Sequence, residues 1–188
     1  YQVNLLEKLL VPLLAKLGNL VVDGGIWLNT QRPEWNDANN ALVGHGLSMV
    51  TLNYLRRYVR FLQELLATEQ GSVELSAEVG EWLADTSAAL AGIRPLLGNG
   101  PIGPDPRWRS MQQLGLAASR YRLSVYRDHP FSGKVERPLE QVIGLLDDTL
   151  AAIDHSIRSN RRDDGTYHAY NLLDLKGDEV GVDSLYLM

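Results

Sequence analysis

A short segment near the N-terminus contains the one group of neighbouring side chains whose types suit a chemical reaction. Glu34 and Asp37 are carboxylic acids that flank Trp35 and Asn36. An indole ring beside a carboxyl group excludes water and favours its protonated form, which is the form that general-acid catalysis requires. The flat face of Trp35 also suits the C–H side of a sugar ring, and Arg32 offers a fork of donors to a hydroxyl or an anion.

Carboxamide side chains continue this segment. Asn36, Asn39 and Asn40 are all able to hydrogen-bond to sugar hydroxyls. The structural alternative is that Asp37 caps a helix and that Trp35 fills the hydrophobic core. Both interpretations stay open when only the residue types are considered.

Residues 34–42, with the Gly-containing loop and the predicted helix at 47–61 that follow, resemble a segment of a known enzyme group. The likeness is to the D-W-N-D-x-L segment of the inverting glycoside phosphorylases (cellobiose and chitobiose phosphorylases), which are (α/α)6-barrel carbohydrate enzymes. Carried over by position, the resemblance implies that Asp37 is the general acid and that Trp35 contacts the sugar. Glu34 stands where those enzymes usually have Asp, which keeps the charge of that position but changes its geometry.

The reaction implied by this resemblance is cleavage of a glycosidic bond with inversion at the anomeric carbon. One carboxylic acid protonates the leaving oxygen, while water activated by a second carboxylate, or an inorganic phosphate, attacks the opposite face. The two carboxyl groups of an inverting hydrolase stand roughly 6.5–9.5 Å apart. No convincing second carboxylate is evident in the sequence, so hydrolysis and phosphorolysis both stay open. The expected partners are carbohydrate and, for a phosphorylase, inorganic phosphate, with no cofactor.

A second cluster of aromatic and polar residues lies near the C-terminus. His168 and Tyr170 belong to the run Tyr167-His168-Ala169-Tyr170-Asn171. We expect His168 and Tyr170 to line the same cleft as the first segment. The alternative is that His168 is a structural histidine with its hydrogen bonds satisfied. The complete set of predicted substrate-binding residues is Arg32, Glu34, Trp35, Asn36, Asn40, His168 and Tyr170.

The elements that must position these residues are mostly helical. Apolar residues at 3- and 4-residue spacing predict helices over about 5–17, 49–66, 76–93, 105–125 and 138–158. Ser76 is a plausible N-cap, and Asp23-Gly24-Gly25 is a turn signal. Little strand signal is present, apart from one or two short strands expected after Thr166.

This pattern predicts an all-α fold of antiparallel helical hairpins, which the resemblance places in an (α/α)6 toroid-like glycosidase domain. Residues 1–188 are expected to form a single all-α segment. A barrel of six hairpins needs about twelve helices, so we expect the chain to be a fragment of a larger domain. Apolar faces left open by a divided barrel are expected to favour self-association.

Composition excludes several classes of protein. The formal net charge of −5 argues against partners such as nucleic acid or an anionic membrane surface. The absence of cysteine excludes thiolate metal sites and cysteine nucleophiles, and no metal site is expected from the four histidines. No stretch is long and apolar enough to span a membrane, and no secretory signal is visible. A cytoplasmic location is expected.

Two motif matches fail because of their context. The run from Gly98 to Gly103 fits G-x-G-x-x-G but follows a predicted helix, so it is interpreted as a helix–helix loop. Asp154-His155-Ser156 has the residue types of a catalytic triad, but neighbours on a helix point in different directions. We therefore expect His155 to be a surface residue. The alternative to an enzyme is a non-catalytic helical scaffold or a carbohydrate-binding module within a large multidomain protein.

Overall fold

The structure of the protein is a computed structural model that describes residues 2–30, 37–127, 131–176 and 179–184. Within these ranges the chain forms six α-helices, seven β-strands and a short 3-10 turn at Arg94–Leu96. The helices are α1 (Leu5–Leu17), α2 (Asp37–Leu42), α3 (Met49–Leu66), α4 (Ala77–Ile93), α5 (Pro104–Arg127) and α6 (Leu139–Ser159). The strands are β1 (Leu20–Val21), β2 (Gly25–Trp27), β3 (Gly46–Ser48), β4 (Ser72–Ser76), β5 (Lys134–Pro138), β6 (Tyr170–Lys176) and β7 (Glu179–Ser184).

Five of the strands form one antiparallel sheet in the order β1-β2-β3-β6-β7. β3 lies at its centre, where Ile26 of β2 pairs with Ser48 and Leu172 of β6 pairs with Gly46. β4 and β5 form a separate antiparallel pair in which Leu75 faces Val135. The sheet therefore joins the first fifty residues of the chain to its C-terminal segment.

The predicted all-α fold, and with it the (α/α)6 toroid of helical hairpins, is wrong, because the described chain has a mixed architecture of helices and antiparallel sheet. β1, β2 and β3 contain only two or three residues each, too few to show the alternation that identifies a strand. β4 and β5 carry Glu and Lys residues, which are depleted in strands. The strands expected after Thr166 are present as β6 and β7.

The five long helices follow the predicted apolar stripes. α1 begins at the N-cap Asn4, whose side chain accepts a hydrogen bond from the Glu7 amide at 2.8 Å. α3 begins at Ser48, whose hydroxyl accepts from the Thr51 amide at 3.0 Å. These caps satisfy amides that have no partner inside their helices. None of the described helices combines the length and the apolar character needed to cross a membrane.

Two hydrophobic cores hold the fold together. The larger core packs leucines and valines of α1, α3, α4 and α6 against one another, with Leu114 and Ala117 contributed by α5. The smaller core lies between the sheet and α5 and consists of Val21, Leu47 and Leu173. Trp27 of β2 and Trp108 of α5 pack against this smaller core, which therefore supports both indole rings.

Close approach of α1 and α5 depends on Gly18, at the end of α1. A methyl group on Gly18 would lie 2.6 Å from the Cβ atom of Ala118, which has no flexible atoms that could move aside. We expect Gly18→Ala to lower the free energy of unfolding by about 1–3 kcal/mol through this overpacking. Gly92→Ala in α4 is the matched control, because open space surrounds that position and alanine favours a helix by about 0.5–1 kcal/mol. Urea denaturation measures the free energy of unfolding of both variants. If Gly18→Ala gained as much stability as Gly92→Ala, the predicted overpacking would be contradicted.

Candidate functional site

The predicted catalytic segment lies on the connection between β2 and β3. Backbone hydrogen bonds close the base of this connection, from Leu28 N to Gly46 O at 2.9 Å and from Gly44 N to Leu28 O at 2.7 Å. The indole Nε1 of Trp27 also donates to Gly44 O at 3.0 Å. The segment that carries Asp37 is thus anchored to the sheet at both of its ends.

Asp37 is the first residue of α2, and its side chain is exposed. No described residue donates a hydrogen bond to its carboxylate or forms an ion pair with it. Asn40 is also exposed and lies three residues further along, so both side chains project from neighbouring positions of the same short helix. The other predicted residues of this segment, Arg32, Glu34, Trp35 and Asn36, lie outside the described residues.

The C-terminal candidates lie at the other end of β3. Tyr170 pairs with Ser48, and the Met49 amide at the start of α3 donates to Ala169 O at 3.0 Å. The connection that carries Asp37 instead enters β3 at Gly46, about 7 Å along the strand from Ser48. The roles of His168 and Tyr170 in substrate binding stay predictions.

A buried polar network surrounds Asp23, which was predicted only as part of a turn. The turn is confirmed between β1 and β2, and Asp23 adopts the left-handed conformation there with φ of 68°. Its Oδ2 accepts from Ile102 N at 2.8 Å and from Arg107 Nη2 at 2.9 Å, while its Oδ1 accepts from Ser159 Oγ at 2.9 Å. The Nε2 atom of His155 lies 2.8 Å from Oδ1 without an aligned hydrogen bond.

The same network overturns the prediction for His155. This side chain is only 3% exposed, and its Nδ1 accepts from Gly98 N at 3.0 Å, so it is buried rather than on the surface. The residues from Gly98 to Gly103 do form a helix–helix connection, as predicted, and this connection is bound to Asp23 through Ile102. Because neighbouring groups already occupy the Asp23 carboxylate, the network fixes the turn and the loop in place.

Two asparagines extend this network into the sheet. The Nδ2 of Asn160 donates to Asp23 O at 2.6 Å, and the Nδ2 of Asn171 donates to Gly24 O at 2.8 Å and to Asn160 Oδ1 at 2.6 Å. Both asparagines are buried. These bonds connect the turn before β2 with the end of α6 and with β6, so they help to set the strand register on which the Asp37 segment depends.

A cleft of about 430 Å³ opens beside the base of that segment, between α1, β2, α4 and α5. Three of the four tryptophans of the chain line it, together with one tyrosine: Trp27, Trp82, Trp108 and Tyr121. Trp82 and Tyr121 are stacked, with ring centroids 4.2 Å apart and an interplanar angle of 17°. Burial raises the pKa of Tyr121, with further contributions from Glu7, Glu78 and Tyr126, so the phenol is neutral at physiological pH.

Polar side chains at the rim complete the lining of this cleft, which is called the aromatic cleft below. Asn29 and Gln112 are exposed, and Asn29 is the last but one described residue before the predicted catalytic segment. The aromatic cleft and the Asp37 connection therefore share an edge. Among the described residues, no group of three or more histidine or acidic side chains is placed to hold a metal ion.

The aromatic cleft was not predicted, although one sequence pattern points to it. Trp108, Gln112, Gly115, Ser119 and Arg122 recur along α5 at alternating 4- and 3-residue spacing, which places them on one face of the helix. The neighbouring apolar stripe of the same helix is the stronger signal in the sequence. Comparison with protein-family models and with curated proteins found no match for this chain.

Proposed function

We propose that this chain acts on carbohydrate as part of an enzyme that cleaves glycosidic bonds with inversion, and that Asp37 is the general acid. The observation that carries the proposal is the position of Asp37. Its carboxyl group is exposed, has no partner among the described residues, and lies on a connection that begins at the edge of the aromatic cleft. A carboxyl group in this position is accessible to a substrate held beside it.

The chemistry follows from the inverting mechanism. Asp37 in its protonated form donates a proton to the glycosidic oxygen as the bond to the anomeric carbon breaks. In the same step, water or inorganic phosphate attacks the anomeric carbon from the opposite face of the sugar ring. An attacking water passes its proton to a second carboxylate and gives a free sugar, whereas phosphate gives a sugar phosphate. The second carboxylate or the phosphate site is not assigned. A cytoplasmic location is part of this proposal.

Asp37→Asn tests this function. On a disaccharide that the unmodified protein cleaves, we expect the turnover of the variant to be about 10²–10⁴-fold lower, since a general acid contributes a factor of that size. The measurement is the release of sugar or sugar phosphate by the full-length protein, with and without inorganic phosphate. Glu140→Gln is the matched control, because Glu140 is also an exposed acid in the first turn of a helix. Full activity of Asp37→Asn would exclude Asp37 as the general acid.

Carbohydrate binding without catalysis is the second candidate, and the aromatic cleft favours it. Indole and phenol rings provide flat apolar surfaces, and carboxamides at the rim provide directional hydrogen bonds. Under this alternative the protein would bind sugar but release neither sugar nor sugar phosphate, with or without inorganic phosphate. Asp37→Asn would then leave the affinity for sugar unchanged.

A further inference from the structure

The floor of the aromatic cleft is rigidly supported. Trp27 and Trp108 pack against the small core of Val21, Leu47 and Leu173, so that each ring is held from behind by buried side chains. The indole Nε1 of Trp27 is already used, because it donates to Gly44 O. This ring therefore offers a ligand its apolar surface rather than a hydrogen bond.

Several polar groups of the cleft have unused hydrogen-bonding capacity. The Nδ2 of Asn29 donates to Asn19 Oδ1 at 2.6 Å, which leaves Asn29 Oδ1 able to accept. Gln112 makes no hydrogen bond with any described residue, so its donors and its acceptor are both open. The Nε1 of Trp82 is a buried donor for which the described part of the chain supplies no acceptor. A buried donor without an acceptor costs free energy.

Charge in the cleft further restricts its ligand. Arg122 is the one charged side chain among the described residues that line it, and no described carboxylate does so. Its Nη2 donates a weak hydrogen bond to Ser119 Oγ at 3.3 Å. The lining has no described carboxylate that could pair with a positively charged ligand, and Arg122 would repel one. A purely apolar ligand would leave Asn29 Oδ1 and the carboxamide of Gln112 without hydrogen bonds to the ligand.

We propose that the aromatic cleft is a binding site for a pyranose oligosaccharide, with Trp27 and Trp108 contacting the C–H faces of the sugar rings and Asn29 and Gln112 binding their hydroxyls. The choice of a sugar as ligand rests in part on the proposed function. Asn29 belongs to the same connection between β2 and β3 that carries Asp37. The volume of about 430 Å³ is within the range of small-molecule sites.

Isothermal titration of the full-length protein with cellotriose, maltotriose and chitotriose tests the site. We expect at least one of them to bind, with Gln112→Ala weakening the affinity about threefold to tenfold and Trp108→Ala about tenfold. Trp108→Phe retains a ring on the small core and is expected to bind with intermediate affinity. Gln113→Ala is the matched control, because Gln113 is an exposed neighbour on α5 that does not line the cleft.

The outcomes separate this inference from the proposed function. Binding of none of the three sugars, or equal affinities of Gln112→Ala, Trp108→Phe and the control, would overturn the assignment of the cleft even if turnover depends on Asp37. Conversely, sugar binding that is lost in Trp108→Ala and retained in a fully active Asp37→Asn variant would support the cleft and exclude the proposed acid.

Discussion

Replacing Asp23 with alanine is expected to lower the free energy of unfolding by about 3–5 kcal/mol, because the change leaves a buried charge without its partner. The guanidinium of Arg107 is held by this carboxylate at 2.9 Å, and the two side chains are only 9% and 5% exposed. The amide of Ile102 and the hydroxyl of Ser159 would lose their acceptor in the same substitution. Denaturant unfolding monitored by circular dichroism measures the loss.

A matched pair on the surface provides the control for Asp23→Ala. Asp85 and Arg120 form a salt bridge at 2.7 Å, but their side chains are 43% and 61% exposed. Water screens this pair, so Asp85→Ala is expected to cost about 0–1 kcal/mol. Equal losses for the two alanine variants would contradict the view that burial makes the Asp23 network essential to the fold.

Replacing Glu7 with alanine is expected to cost about 3 kcal/mol, the second largest effect on stability. Glu7 lies on α1 and is 3% exposed, and its carboxylate accepts from Ser76 N at 2.8 Å and from Ser76 Oγ at 2.5 Å. Both donors would be left buried without an acceptor, and hydrogen bonds to charged groups are among the stronger ones. The carboxylate also lies at the N-terminus of α4, where the helix dipole stabilises negative charge.

Two further variants make the Glu7 prediction specific. Glu7→Gln keeps one acceptor oxygen and is expected to lose less stability than Glu7→Ala. Glu81→Ala on the exposed face of α4 removes an acid without a partner among the described residues and is expected to change stability by less than about 0.5 kcal/mol. If Glu7→Ala unfolds at the same denaturant concentration as Glu81→Ala, the carboxylate does not hold α1 and α4 together.

Ser76 occupies a position that the sequence predicts, but it has a hydrogen-bond partner that the sequence does not predict. Its predicted position as the N-cap of α4 is confirmed, but its side chain makes no capping hydrogen bond within its own helix. The hydroxyl donates instead to Glu7, which is distant in sequence and comes from another helix. The preference of serine for the N-cap position depends only on a few neighbouring residues. That its hydroxyl bonds to Glu7, rather than to an amide of α4, depends on how α1 packs against α4.

One part of the candidate site was predicted from the sequence and the other part was not. Residue types singled out the segment of Asp37, and Asp37 is the exposed first residue of the short helix α2. The aromatic cleft beside it depends on Trp27, Trp82 and Trp108, which come from three different elements. No spacing in the sequence relates these three rings, because they converge only when α5 packs across the sheet.

The sequence by itself determined the five long helices, each first residue to within one position, and the turn at Asp23, because a helix repeats its apolar face every three or four residues and its caps are local. Only the tertiary structure decided the sheet, the buried network of Asp23 and the cleft. β3 has three residues and pairs with β6, whose residues lie more than a hundred positions away along the chain. Such pairing leaves no periodic signal, and its energy comes from partners that meet only after the helices have packed.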